Sequence, residues 1–353
     1  MLAFTFQGLP SRVVFGERSL DRLADEVARL GCTRALVLST PEQRATAEEV
    51  ARRLGERAAG VYAAAVMHVP LEVAQAARAE AQRLAADCCV AVGGGSTIGL
   101  GKAIALAFGL PIVAVPTTYA GSEMTPIWGL TEAGVKRTGR DLRVLPRTVI
   151  YDPLLTLSLP PALSATSGFN AIAHSVEALY AEDANPIVSL MAEESIRALA
   201  RALPAIVARP QDRAARSQAQ YGCWLAGYAL GSVGMALHHK LCHTLGGTFD
   251  LPHAEVHTIV LPHAVAYNRA AAPEAMDRIA RALGAADAAQ GLYDLAARLG
   301  AKLRLAEIGM PADGLDRAAE LAVTSPYHNP RPVTRDGVRA LLQDAFDGRR
   351  PAA

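Results

Sequence analysis

Cys88-Cys89-Val90-Ala91-Val92-Gly93-Gly94-Gly95-Ser96-Thr97-Ile98-Gly99-Leu100-Gly101-Lys102 is the stretch that decides the fold. An apolar run meets three glycines and passes straight into a helical pattern, so a buried strand turns sharply into a helix. Glycine lets backbone N–H groups approach an anion closely, and a helix N-terminus carries roughly half a positive charge. The turn can therefore cradle a pyrophosphate, with Ser96 and Thr97 adding hydroxyls. A ligand-free strand-to-helix turn would use the same glycines, and the spacing is not GxGxxG. A second polar turn, Pro116-Thr117-Thr118-Tyr119-Ala120-Gly121-Ser122-Glu123, follows the next strand. Open α/β sheets bind their ligands at that edge, which favours the cradle.

Outward from this turn, short apolar strands alternate with amphipathic helices from about Arg12 to Asp152. Strands are expected at 35–39 (ALVLS), 88–92, 112–115 (IVAV) and 148–151 (TVIY), and helices at 45–54 and 73–86. That alternation predicts βαβ units and a largely parallel sheet over residues 1–152. Beyond Pro153 the texture becomes Ala/Leu-rich and helical, which predicts an all-α domain over 153–353. The boundary is placed at Asp152-Pro153, because proline disfavours helical geometry in the residue before it.

With 353 residues and 51% hydrophobic composition the chain can fill two cores. Its 35 basic and 34 acidic residues are interspersed, giving a net charge of +1 and no stripe suited to nucleic acid or a membrane surface. Cys32, Cys88, Cys89, Cys223 and Cys242 form no CxxC pair and read as buried thiols of a reducing compartment. The start, MLAFTFQGLPSRVVFG, lacks the pattern of a signal peptide, and no apolar run approaches the roughly 20 residues of a membrane span. A cytoplasmic protein acting on a small molecule is expected.

Six of the nine histidines fall between His238 and His263. His239 and His243 are four apart and share a helical face; Asn170 and His174 repeat that spacing on an earlier helix; His253 lies beyond Gly246-Gly247. A single histidine is ordinarily a hydrogen-bonded core imidazole, and His257 and His263 are read so, with His68 and His238 left undecided. The ordered set His174, His239, His243 and His253 points instead to a site. A divalent metal wants a carboxylate beside its imidazoles, and the place for it holds the neutral Asn170.

These segments resemble the iron-containing alcohol dehydrogenases, which carry a GGGS turn, a PTTxxxGSE-like turn, a DAxxH helix and an HxxxH…PH block ending in LPH. The counterparts here are Gly93 to Ser96, Pro116 to Glu123 with one residue fewer, Asn170 to His174, and His239, His243 and His253, closed by Leu261-Pro262-His263. The resemblance implies a doubly wound N-terminal domain that binds NAD(P) and a helical, catalytic C-terminal domain. The cofactor-binding positions it implies are Gly93, Gly94, Gly95, Ser96, Thr97, Thr117, Thr118 and Ser122, with Thr40 at the ribose. Asn170, His174, His239 and His253 match metal ligands, and His243 a further active-site histidine. Without the carboxylate, tight metal binding is not expected.

Within that superfamily the phrases Met67-His68-Val69-Pro70, Gly99-Leu100-Gly101-Lys102, Gly168-Phe169-Asn170-Ala171, Leu237 to His243 and Asn329-Pro330-Arg331 resemble the maleylacetate reductases, which need no metal. That implies NADH-dependent reduction of the enone C=C of maleylacetate to 3-oxoadipate in aromatic-compound degradation, by a cytoplasmic homodimer. The neutral Ser39-Thr40 keeps NADPH open as the cofactor. The alternative is a metal-dependent alcohol or aldehyde dehydrogenase of the same superfamily. Conjugate reduction needs a proton donor, for which His243 is the first choice and His253 the second. The dicarboxylate substrate wants cationic or hydroxyl partners, and Lys240, Arg331, Tyr327 and Ser122 are the candidates.

Overall fold

In a computed structural model the chain is described over residues 4–132 and 135–352, with only the backbone at 135 and 136. It gathers into two compact units, Leu9–Leu159 and the chain from Pro160 onward, the latter joined by the described residues before Leu9.

Strands β1 (Arg12–Phe15), β2 (Ala35–Leu38), β3 (Ala58–Tyr62), β4 (Cys88–Gly93), β5 (Ile112–Pro116) and β8 (Thr148–Tyr151) form one sheet in the order β1-β8-β5-β4-β2-β3. All of its pairings are parallel. β2, β4, β5 and β8 are buried along their whole length, which is why they read as unbroken apolar runs. Alternate residues face opposite layers. Val37, Val90, Val92, Val113 and Val115 pack with α1 (Leu23–Arg29) and α2 (Arg44–Leu54), while Leu36, Leu38 and Cys89 pack with α3 (Leu71–Arg83) and α4 (Gly95–Phe108). This is the doubly wound arrangement the resemblance implied.

β2 leads to β3 on one side and β4 to β5 on the other, so the strand order reverses between β2 and β4. Their C-terminal ends, at Thr40 and Gly93, flank the switch point where open sheets bind ligands. Three features were not read from the sequence. β1 and the Ala/Gly-bearing β3 are short edge strands. β6 (Ile127–Glu132) and β7 (Val135–Arg140) form an antiparallel hairpin outside the main sheet, half-buried along β6 and polar along β7.

From Pro160 onward the described residues form α5 (Pro161–Ala178), α6 (Pro186–Ala208), α7 (Arg213–Ser232), α8 (Leu237–Phe249), α9 (His253–Asn268), α10 (Pro273–Leu283), α11 (Ala288–Arg298), α12 (Gly314–Ala322) and α13 (Arg335–Asp347). The side chains of Asn185, Asp212, Asp287 and Thr334 accept backbone N–H groups at the starts of α6, α7, α11 and α13. α5 is buried on nearly every face. A polar chain crosses α5, α6 and α7, in which Ser175 donates to Ser195 Oγ at 2.8 Å and Ser195 to Gly222 O at 2.8 Å. All five cysteines are buried and none is in a disulfide. Among the described residues no helix is long and apolar enough to cross a membrane.

A Cβ at Gly222 would lie 2.8 Å from Leu199 Cγ and 3.2 Å from Ser195 O, so glycine lets α6 and α7 approach. Gly222→Val is expected to destabilise the protein by about 1–3 kcal/mol through overpacking. Denaturant titration measures this as a lower midpoint, and an unchanged midpoint would show that the two helices do not need the glycine.

Candidate active site

In the α/β unit the candidate residues gather around the glycine turn. Gly93 has φ of 154°, and a Cβ there would meet Thr97 Oγ1 at 2.5 Å and Gln43 Oε1 at 2.8 Å. A Cβ at Gly94 would sit 3.0 Å from Thr118. The turn is thus closed off by Thr97, Thr118 and Gln43, and only glycine leaves room for anything else. Gly94 precedes α4 and offers no side-chain cap to the N–H groups of the helix's first turn. Thr97 Oγ1 is buried without a hydrogen-bond partner. Thr117, at the end of β5, accepts a 2.8 Å hydrogen bond from Gln43 Nε2, which binds the turn after β2 to the turn after β5.

Of the positions the resemblance marked, Gly93, Gly94, Gly95, Ser96, Thr97, Thr117 and Thr118 thus lie together at the sheet's C-terminal edge. Thr40 stands at the end of β2, where its carbonyl accepts from Ser39 Oγ at 2.9 Å. Ser122 is set further along, with its Oγ 3.2 Å from Lys102 Nζ. Burial pushes the Lys102 ammonium down to about 7, against the opposing pull of Glu123.

The helical unit carries its own group of candidate residues. α5 presents Asn170 and His174, α8 presents His239 and His243, and α9 begins at His253. The His174 and His239 rings are stacked 5.1 Å apart, His239 and His243 lie 6.4 Å apart, and His243 and His253 are stacked at 6.4 Å. Asn170 Oδ1, His174 Nδ1 and His239 Nε2 are buried and have no hydrogen-bond partner. His257 lies inside the same cluster, 4.4 Å from the His253 ring and 5.0 Å from that of His239, with Nδ1 bonded to His238 Nε2 at 2.9 Å. Its Nε2 is buried without a partner. Lys240 Nζ lies 5.9 Å over the Tyr327 ring, and Tyr327 OH is buried without a partner. Arg331 is instead stacked 4.2 Å over Tyr267 and donates to its carbonyl.

Glu177 was missed from the sequence. Its carboxylate has no solvent exposure and accepts the N–H groups of His238 at 2.7 Å and Ala236 at 2.8 Å, and it bonds His239 Nδ1 at 2.7 Å. It thereby caps α8, whose own N-cap Ala236 offers no side chain, and fixes which nitrogen of His239 turns outward. The signal was present: Glu177 is seven residues after Asn170 and three after His174, on one face of α5. Gln43 and Lys102 carried no comparable signal, since both act across long sequence separations.

A model of the iron-containing alcohol dehydrogenase matches residues 10–153, and one of the C-terminal part of the Fe-containing alcohol dehydrogenase family matches residues 164–346. The chain belongs to the iron-containing alcohol dehydrogenase family. It is 62% identical over 352 residues to a maleylacetate reductase of Burkholderia cepacia, with all of both chains covered. It is 61% identical over 350 residues to one of Sphingobium indicum, covering 99% of each. The solved maleylacetate reductase of Agrobacterium tumefaciens is 54% identical and superposes with a TM-score of 0.97 over 99% of this chain and 100% of that one.

In this chain the buried imidazoles also govern acid stability. Burial pushes His263 down to about 4, opposed by Asp344, and holds His174, His238 and His257 well below the ordinary range, with neighbouring imidazoles adding to it. Unfolded histidine titrates near 6.5, so below that pH the unfolded chain binds more protons than the folded one. Their stabilising contribution is full above about pH 6.5 and is lost as the pH falls toward 4, on the order of 3 kcal/mol for His263 alone. Urea midpoints taken from pH 7.5 to 4.5 should fall across this window, more gently in His263→Gln. A flat series would mean that these imidazoles are charged in the fold.

Proposed function

We propose that this chain reduces the conjugated C=C of maleylacetate to 3-oxoadipate with NADH or NADPH, and that it requires no metal. The full-length match to maleylacetate reductases carries the reading, and the carboxylate-free set Asn170, His174, His239 and His253 supports it. The N-terminal α/β domain holds the dinucleotide, the C-terminal helical domain holds the catalytic groups, and the enzyme works as a homodimer.

The glycine turn fits a dinucleotide's pyrophosphate: no side chain caps the start of α4, and Thr97 Oγ1 is a buried hydroxyl without a partner. Gly93, Gly94, Gly95, Ser96, Thr97, Thr117, Thr118 and Ser122 hold it, with Thr40 at the ribose. When bound, the reduced nicotinamide supplies the hydride. A tightly held divalent iron or zinc does not fit the set Asn170, His174, His239 and His253, which offers no carboxylate. The ligand atoms left without partners in the imidazole cluster, which include Asn170 Oδ1, His174 Nδ1, His239 Nε2 and His257 Nε2, contain no carboxylate, and Glu177 is already engaged by backbone amides and His239.

Hydride addition at the carbon β to the ketone moves the C=C electron pair onto the ketone oxygen, and the resulting enolate takes a proton at the α carbon. No alkoxide has to be stabilised, so hydrogen-bond donors and one proton donor suffice. His174 and the Asn170 amide nitrogen bind the enolate oxygen in this reading, and His239, whose Nδ1–H is given to Glu177, joins them from Nε2 only as an imidazolium. His243, exposed at the rim of the imidazole cluster, is the proton donor, with His253 stacked on it as the second choice. Lys240 and Tyr327 receive one substrate carboxylate, and Arg331, once it leaves the Tyr267 ring, the other.

Activity with maleylacetate should survive exhaustive chelation, measured as NADH oxidation by metal-stripped protein against a panel of short alcohols and aldehydes. Loss of activity restored by Fe²⁺ or Zn²⁺ would overturn the metal-free reading and favour the alcohol dehydrogenase alternative. His243→Ala should lower kcat by roughly 10²–10⁴ while the NADH dissociation constant stays within a factor of about two. Near-normal kcat in that variant would remove His243 as the donor and pass the role to His253.

A further inference from the structure

Lys102 is 1% exposed, on α4, about two turns beyond the Gly93-Gly94-Gly95 turn. Its Nζ donates to Ser122 O at 2.6 Å, Ile127 O at 2.8 Å and Thr125 Oγ1 at 2.9 Å, with Ser122 Oγ at 3.2 Å. All of these acceptors belong to one segment, the continuation of the second polar turn. An ammonium has three protons, so the cluster saturates it, whereas a neutral amine could not serve three acceptors. Within the segment Thr125 Oγ1 donates to Ser122 O at 3.2 Å. Glu123, between them in sequence, has no exposure and accepts from Tyr151 OH at 2.9 Å on β8. A buried ammonium is costly unless it is fully hydrogen-bonded, and an apolar side chain would fill the same space without that cost. What the lysine provides is geometry: it fixes the segment after Thr117-Thr118 onto the helix that starts at the glycine turn.

We infer that Lys102 is a positioning residue for the nicotinamide cofactor, locking the two polar turns of the α/β unit into one preformed binding surface. This rests on the reading of the glycine turn as the cofactor's cradle, so the experiment tests both. NADH dissociation constants, measured by fluorescence quenching, and steady-state constants are compared for Lys102→Met, Thr125→Val and Gly94→Val in the full-length enzyme. Lys102→Met should raise the dissociation constant and KM for NADH by roughly 10- to 100-fold, the usual worth of hydrogen bonds to a charged group. The KM for maleylacetate and kcat at saturating NADH should change by less than about twofold. Thr125→Val keeps the ammonium but removes one acceptor, and should raise the NADH constant by about two- to fivefold. If Gly94→Val weakens NADH binding and the other two variants do not, the cradle stands and the role of Lys102 is overturned. If Gly94→Val also leaves NADH binding intact, the cradle itself is misplaced and the inference falls with it. Equal rises in both KM values, or a fall in kcat alone, would assign Lys102 a general structural part and likewise overturn the inference. Should Lys102→Met fail to fold, Thr125→Val decides: a selective rise for NADH supports the positioning role, and no change refutes it.

Discussion

The Glu177 carboxylate has no access to solvent, so every hydrogen bond it accepts must come from the protein. It finds them at the start of α8, from the amides of Ala236 and His238 and the ring of His239. That one requirement sets where α8 begins relative to α5. From it follows the stacking of His239 on His174, and through the four-residue step along α8, the place of His243. An apolar residue at 177 would leave α8 without a cap and the His239 ring free to turn over. The imidazole cluster is thus a consequence of a buried charge that itself touches no reacting atom.

The α/β unit solves a related problem with the opposite sign. Three successive glycines cannot hold their own shape, because glycine restricts the backbone least of all residues. Rigidity at this turn comes from outside, from Thr97 and Thr118 packed where glycine Cβ atoms would be, from Gln43 bonded to Thr117, and from the Lys102 ammonium behind. The surface facing a ligand keeps bare backbone, while the surface facing the protein is held by side chains.

Much of this was legible in the sequence, and the gaps have physical reasons. The central strands were found because burial on both faces produces unbroken apolar runs such as CCVAV and IVAV. The edge strand AAGVY and the polar strand VKRTGR lack that pattern, since edges and outlying hairpins need no such run. Asn170, His174, His239 and His243 stood out because helical spacing of four is a local signal. Gln43, Lys102 and the pairing of Arg331 with Tyr267 are contacts across long stretches of chain, and no local pattern encodes those. Glu177 is the instructive case. The carboxylate absent at Asn170 has a counterpart seven residues further on, whose work is to orient a histidine.

The burial of all five thiols gives each unit its own clock. Thiols react with alkylating reagents as exposed thiolates, and here burial raises the pKa of Cys88, Cys89 and Cys242 far above that of a free thiol. Modification of the native protein therefore waits for an opening event that brings the sulfur to solvent. Cys32, Cys88 and Cys89 report openings of the sheet, and Cys223 and Cys242 openings of the helical unit. Peptide-resolved labelling rates would then measure how independently the two units breathe. Adding cofactor to such an experiment should slow the clock of whichever unit binds it, without a single engineered residue.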